Sequence, residues 1–105
     1  MKNIFTKSLI LGVSIFASNS ALATDAGQST YERACSVCHS NGIAGAPKFA
    51  DIDAWTPLIE KGKEALYESA LNGKGSMPAK GGQTGLSDED VKAAVDFLIK
   101  NATNL

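Results

Sequence analysis

Histidine is nearly absent from this 105-residue chain: His39 is the only one. Tryptophan also occurs once, cysteine twice, methionine twice and proline three times. A single histidine excludes any site built from two imidazoles of one chain. Two cysteines exclude a framework of several disulfides. Basic runs are missing and the formal net charge is −1, which leaves no electrostatic footprint for nucleic acid. No stretch alternates with period two for long enough to make a strand, and there is no internal repeat or low-complexity segment. Long apolar runs are missing too. The best, Leu9 to Ala17, is about half of the roughly 20 residues that a bilayer span requires.

That run reads as the centre of an export signal. Lys2 and Lys7 precede it, the polar Ser18-Asn19-Ser20 follows, and Ala21-Leu22-Ala23 is an A-x-A cleavage site. The expectation is a signal peptide over 1–23, cleavage after Ala23 and delivery to the periplasm. No cysteine lies near the cut, so neither a lipid nor a helix would anchor the product. Residues 24–105 form one 82-residue domain with eight basic and eleven acidic side chains, a formal −3. It is short for a self-sufficient core. Its helical periodicity, with no strand signal, predicts an all-α fold of short helices.

Cys35-Ser36-Val37-Cys38-His39 is the feature around which the rest is organised. Cys-x-x-Cys-His is the attachment signature of a c-type haem. Two thiols one helical turn apart can each add to a vinyl group on one porphyrin edge, and the next residue is carried beneath the iron as an axial imidazole. The export context permits a Cys35–Cys38 disulfide, at most as a transient state before attachment. A zinc site would be one ligand short. The macrocycle would supply the apolar volume that so short a chain lacks.

With His39 committed, the candidates for the sixth iron position are Met77, then lysine or water. Met77 sits in Gly73-Lys74-Gly75-Ser76-Met77-Pro78-Ala79-Lys80-Gly81-Gly82, a composition that makes an irregular loop. The usual fate of methionine is core filling; a Gly/Pro loop is an unusual place for that.

The flanking elements are predicted as follows. A first helix covers Gly27 to Val37, with Ser29 and Glu32 as a capping box. Asn41 to Ala50 is loop, with Ile43, Ala44 and Ala46 at the haem edge. A short helical stretch runs from Asp51 to Lys61, capped by Asp53 or Thr56, with Pro57 in its first turn. Lys63 to Asn72 is helical, with Ala65, Leu66, Ser69 and Ala70 inward and Gly73 as its stop. Ser87 opens the final helix, whose apolar face is Val91, Ala94, Val95, Leu98, Ile99 and Ala102. Lys92, Asp96 and Lys100 read as its solvated face. Trp55 packs on the porphyrin, donates to a propionate or fills the core; Tyr67 points a hydroxyl towards the Met77 sulphur.

Cys35 to His39, Gly45-Ala46-Pro47, Trp55, Ser69 to Pro78 and Leu86 to Glu89 together resemble a bacterial class I cytochrome c, and within that class the small cytochrome c5-like proteins. The resemblance covers essentially all of 24–105. The extra cysteine pair that c5-type proteins often carry is absent; Gln83 stands near its place. The resemblance implies a class I cytochrome c fold wrapped around one covalent haem c, held through Cys35 and Cys38 and ligated by His39 and Met77. It implies that the Pro47 carbonyl orients His39, and that Gly27 and Tyr31 meet Phe97. Cofactor contacts are thus expected from Cys35, Cys38, His39, Met77, Pro47, Trp55 and Tyr67.

The function implied is a soluble monomeric electron carrier rather than an enzyme. Its partners would be a membrane-bound quinol-oxidising complex and a terminal oxidase or reductase. Lys48, Lys74 and Lys80 would face an acidic partner, and Lys74 or Lys80 would replace Met77 at alkaline pH. A peroxidase-like enzyme would need a distal acid–base residue, and no second histidine exists to provide it.

Overall fold

The protein, described here by a computed structural model, is described at residue 12 and over residues 26–103. The expected signal segment and its cleavage site lie, Gly12 apart, outside the described residues. Four helical runs are present: α1 over 26–39, α2 Ile52–Glu60, α3 Lys63–Asn72 and α4 Asp88–Asn101. Single 3₁₀ turns, Ile43–Gly45 and Ala79–Gly82, punctuate the loops. The described residues contain no strand, only an isolated antiparallel bridge between Lys74 and Met77. None of their helices is long and apolar enough to cross a membrane.

Helix α1 departs from expectation at its start. Ser29 is already helical and Thr30 has φ −66° and ψ −41° without a side-chain cap, so the capping box does not form. Once the preceding turn is helical, the amides that Ser29 would serve are bonded within the helix. Glu32 instead accepts from Gln28 Nε2 at 3.2 Å. The middle of α1 is a π-turn, Tyr31–Cys35, in which the Ser36 N–H reaches back five residues to the Tyr31 carbonyl. Such a turn is inserted in few helices and tends to mark functional segments. Regular α-helix then resumes over Ser36–His39, two residues beyond the predicted end.

The cap of α2 is Asp51, not Asp53 or Thr56: Asp51 is extended and its Oδ1 accepts from the Ala54 N–H at 3.3 Å. Thr56, one turn in, hydroxyl-bonds the Ile52 carbonyl at 2.7 Å. Pro57 therefore lies in the interior of the helix, where it removes one backbone hydrogen bond. In α3, Ala65 is exposed and the inward face is Leu66, Tyr67, Ala70 and Leu71. Gly73 ends that helix at φ +85°. Ser87 caps α4 as predicted, accepting from the Asp90 N–H at 3.1 Å. The predicted apolar face of α4 is buried throughout except for half-buried Ile99.

Helices α1 and α4 cross where α1 has no side chain. A Cβ on Gly27 would lie 2.5 Å from the Ala93 carbonyl oxygen and 3.3 Å from the Phe97 Cβ. Tyr31 packs against Phe97 with ring centroids 5.5 Å apart and against Phe49 at 5.1 Å. Aromatic pairs of this kind add about 0.5–1.5 kcal/mol each beyond area burial. The resemblance-based contact of Gly27 and Tyr31 with Phe97 is present.

The core is split in two. One half gathers Tyr31, Trp55, Ala94, Leu98 and Ala102, with Cys35, Phe49 and Phe97 against them. The other gathers Ala70, Leu86, Val91 and Val95, with Ala34, Tyr67 and Met77 against them. Two neighbouring rows of α4 feed the two halves, Ala94, Leu98 and Ala102 the first and Val91, Val95 and Ile99 the second. The seam passes through α1 between Ala34 and Cys35.

Candidate functional site

His39 closes α1 and is 7% exposed. Its Nδ1 lies 2.8 Å from the Pro47 carbonyl oxygen. A carbonyl only accepts, so Nδ1 carries the proton and Nε2 is left with its lone pair free for a metal. The loop that delivers Pro47 is turned by Gly42 at φ +74° and by Ala44 at φ +56°. It is fastened by the Phe49 N–H, which donates to the His39 carbonyl at 2.6 Å.

Trp55 lies beside His39, ring centroids 5.7 Å apart, and is 5% exposed. Its Nε1–H donates to the Lys48 carbonyl at 2.8 Å. This corrects the propionate-donor option: the only polar atom of the ring already has a partner. What remains for Trp55 is packing, on the imidazole side of the site.

Cys35 and Cys38 are half-buried and neither is in a disulfide. Burial pushes the Cys35 thiol up to about 11. Among the described residues no three His, Cys, Asp or Glu side chains are gathered for a metal ion, so the zinc alternative finds no completing ligand.

Met77 belongs to the other half of the core. Lys74 and Met77 exchange both backbone hydrogen bonds at 2.9 Å, closing a tight turn in which Gly75 has φ +58°. A Cβ on Gly73 would meet the Met77 carbonyl oxygen at 2.8 Å and the Ala79 nitrogen at 3.0 Å, so the methionine turn is folded directly onto the end of α3. Tyr67 packs in the same half-core, but its hydroxyl donates to Asp96 Oδ1 rather than pointing at the sulphur. The Tyr67 reading is corrected accordingly. An ionised carboxylate within reach outcompetes a thioether, which is a weak acceptor.

Asp96 is also no member of a purely solvated face. It pairs with Lys63 Nζ at 3.0 Å, and the ammoniums of Lys63 and Lys92 stand 5.8 and 5.6 Å from the Tyr67 ring centroid. Tyr67 is raised from its ordinary value by burial first and by the Asp96 bond second. Lys63 is raised chiefly by its hydrogen bond to Asp96. Lys80, expected on the docking edge, is turned inward. Its Nζ donates to the Leu86 carbonyl at 2.6 Å and pairs with Asp88 at 2.9 Å. Lys48 and Lys74 are exposed. Val37 is 69% and Ile43 51% exposed, and no sequence signal singled out Val37 as a surface residue.

The residues present fit a c-type haem. Two thiols leave α1 one turn apart, an imidazole with a free Nε2 follows, and a thioether stands in the opposite half-core. The large core side chains keep between 4% and 7% exposure, and a flat apolar group at the seam would complete both halves.

Comparison with known proteins agrees. Residues 22–98 match the family model described as cytochrome c oxidase, cbb3-type, subunit III. Cytochrome c-555 of Chlorobaculum tepidum is 39% identical over 101 residues, covering 90% of this chain and 94% of that protein. Cytochrome c5 of Azotobacter vinelandii is 34% identical over 71 residues, covering 66% and 86%. Among solved structures, a chain in the crystal structure of an electron transfer complex of nitrite reductase with cytochrome c superposes with TM-score 0.71 at 42% identity, covering 74% of this chain and 95% of that one.

Proposed function

The chain belongs to the small class I c-type cytochromes, electron carriers rather than enzymes, and from that premise we propose a periplasmic one-electron shuttle with His39 and Met77 as the axial ligands of its iron. Membership implies a covalent haem c, for which Cys35 and Cys38 stand at the required spacing. The bound haem supplies an iron that cycles between ferrous and ferric. The polypeptide decides where that iron sits, what it binds and how readily it gives up its electron.

The hydrogen bond from His39 Nδ1 to the Pro47 carbonyl carries this reading. It fixes the tautomer, aims Nε2 and raises the basicity of the ring as a ligand. The Met77 thioether, held in its tight turn, supplies a soft ligand that favours the ferrous state and so raises the potential. With His39 and Met77 both holding the iron, neither oxygen nor substrate would find a place on it. Because burial raises Cys35 to about 11, its thiol is a poor nucleophile in the folded chain at neutral pH.

Exposed Val37 and Ile43, with exposed Lys48 five residues after Ile43, offer apolar surface beside a positive charge. It suits a transient contact at the low end of interface size with acidic patches on other redox proteins. A structural neighbour in complex with nitrite reductase supports partners of that kind. The partners proposed are a quinol-oxidising complex and a terminal oxidase or reductase. Export of the chain, with residues 1–23 removed, would place it between them.

Two measurements test the proposal. Denaturing electrophoresis of the exported protein, stained for haem, should show a coloured band. Potentiometric titration should show one reversible one-electron step at positive potential. A chain that sheds its haem on denaturation, or that titrates at strongly negative potential, would overturn it.

A further inference from the structure

Lys80 has no role in electron carriage as described so far, yet its placement is the least expected in the molecule. It is one of three non-glycine residues with positive φ, at +54° among the described residues. Its side chain, 21% exposed, folds inward instead of reaching for water. Long cationic side chains ordinarily keep their heads in solvent, and a left-handed backbone is disfavoured for any residue with a Cβ. Both features need a compensating interaction.

That interaction ties the two ends of the methionine loop together. Lys80 Nζ donates to the Leu86 carbonyl at 2.6 Å and pairs with Asp88 Oδ1 at 2.9 Å. Leu86 is buried in the half-core that contains Met77, and Asp88 is the first residue of α4. On the other side, a Cβ on Gly81 would lie 2.3 Å from the Ala34 carbonyl oxygen. The Lys80–Gly81 pair is thus pressed against α1 one residue before Cys35. At its near end the loop is already closed by the Lys74–Met77 bridge and by Gly73. Without the ammonium, the stretch from Pro78 to Leu86 is held mainly by short backbone turns, Gly81 to Pro78, Gln83 to Lys80 and Leu86 to Gln83.

We propose that Lys80 is a positioning residue, a latch that closes the methionine loop onto the start of α4 and thereby keeps the Met77 thioether seated. The proposal rests on the reading of Met77 as the sixth ligand. The latch acts on the equilibrium between seated and displaced thioether, which is read most directly in the ferric protein. An added ligand such as imidazole binds only when the sulphur has left, so its apparent affinity reports the displaced fraction.

The experiment titrates ferric holoprotein with imidazole, following the far-red thioether-to-iron absorption. The variants are Lys80→Met, Lys80→Gly and Asp88→Asn. Lys80→Met keeps the stem and removes the charge; imidazole should bind about tenfold more tightly. Lys80→Gly relieves the left-handed backbone while removing the latch and should behave like Lys80→Met. Asp88→Asn leaves the Leu86 bond in place and should show a smaller increase, roughly two- to threefold. Unchanged imidazole affinity in Lys80→Met overturns the latch, even if that variant melts at lower temperature. Wild-type affinity in Lys80→Gly also overturns it, since backbone shape alone would then hold the loop. A wild-type protein without far-red absorption overturns the ligand reading instead, and is recognisable before any variant is made.

Discussion

Trp55 commits its ring N–H to the Lys48 carbonyl and its faces to the core, beside an imidazole that is itself held by the next loop residue but one before Phe49. Replacing it with Phe removes one of the two hydrogen bonds that the Lys48 carbonyl accepts, the Asp51 N–H at 3.1 Å remaining, which costs about 0.5–1.5 kcal/mol, besides the lost packing. The expected result is a melting temperature lower by roughly 4–8 °C per kcal/mol, with haem content and visible spectrum unchanged. A variant lacking haem would restore a cofactor-donor role for the indole. Met77→Ala has the opposite signature. Haem should stay attached, the potential should fall, and added ligands should bind the iron, as spectro-electrochemistry would show. The attachment residues were legible in sequence because covalent chemistry dictates their spacing, and Met77 because it is the one methionine besides Met1. The polar ends of Trp55, Tyr67 and Lys80 were not. Each finds a partner, Lys48 carbonyl, Asp96 or Leu86 carbonyl, that only the folded loops bring within reach.

Helix α4 illustrates what periodicity does and does not carry. Its apolar stripe and Ser87 cap follow from the pattern of residues alone. Asp96 sits on the stripe's polar flank, and nothing in its spacing announced that Lys63 and Tyr67 of α3 would converge on it. The same holds for the start of α1, where a local capping signal at Ser29 yields to a helix that has already begun. The Tyr67 cluster predicts an alkaline effect. Tyr67 and Lys63 are both raised in the folded state, so their stabilisation is complete below about pH 10 and is lost as pH climbs through the raised values. The charged groups facing the phenol are Lys63, Lys92 and Asp96. Resistance to denaturant should fall above about pH 10, and less steeply in Asp96→Asn; equal slopes in the two proteins would contradict this. At the α1–α4 crossing, Gly27→Ala forces a Cβ to within 2.5 Å of the Ala93 carbonyl. Overpacking of this kind costs about 1–3 kcal/mol, and thermal melts of the holoprotein should show it.

At the scale of the molecule, two half-cores meet along a seam that begins between Ala34 and Cys35, one half bearing Trp55 beside His39 and the other bearing Met77. Such a division suits a short chain that folds around a flat cofactor rather than around itself. The all-α architecture was legible because the absence of period-two alternation left no alternative. The division of the core was not, since it depends on which row of the α4 stripe faces which neighbour. Loss of both thiols, Cys35→Ala with Cys38→Ala, should remove the covalent bond and leave the chain colourless after denaturing electrophoresis. The most direct test of the whole account is the far-red absorption spectrum of the purified ferric protein. The account predicts a thioether-to-iron charge-transfer band that disappears in Met77→Ala while the haem remains attached. A ferric protein without that band, or a band that survives the substitution, would contradict it.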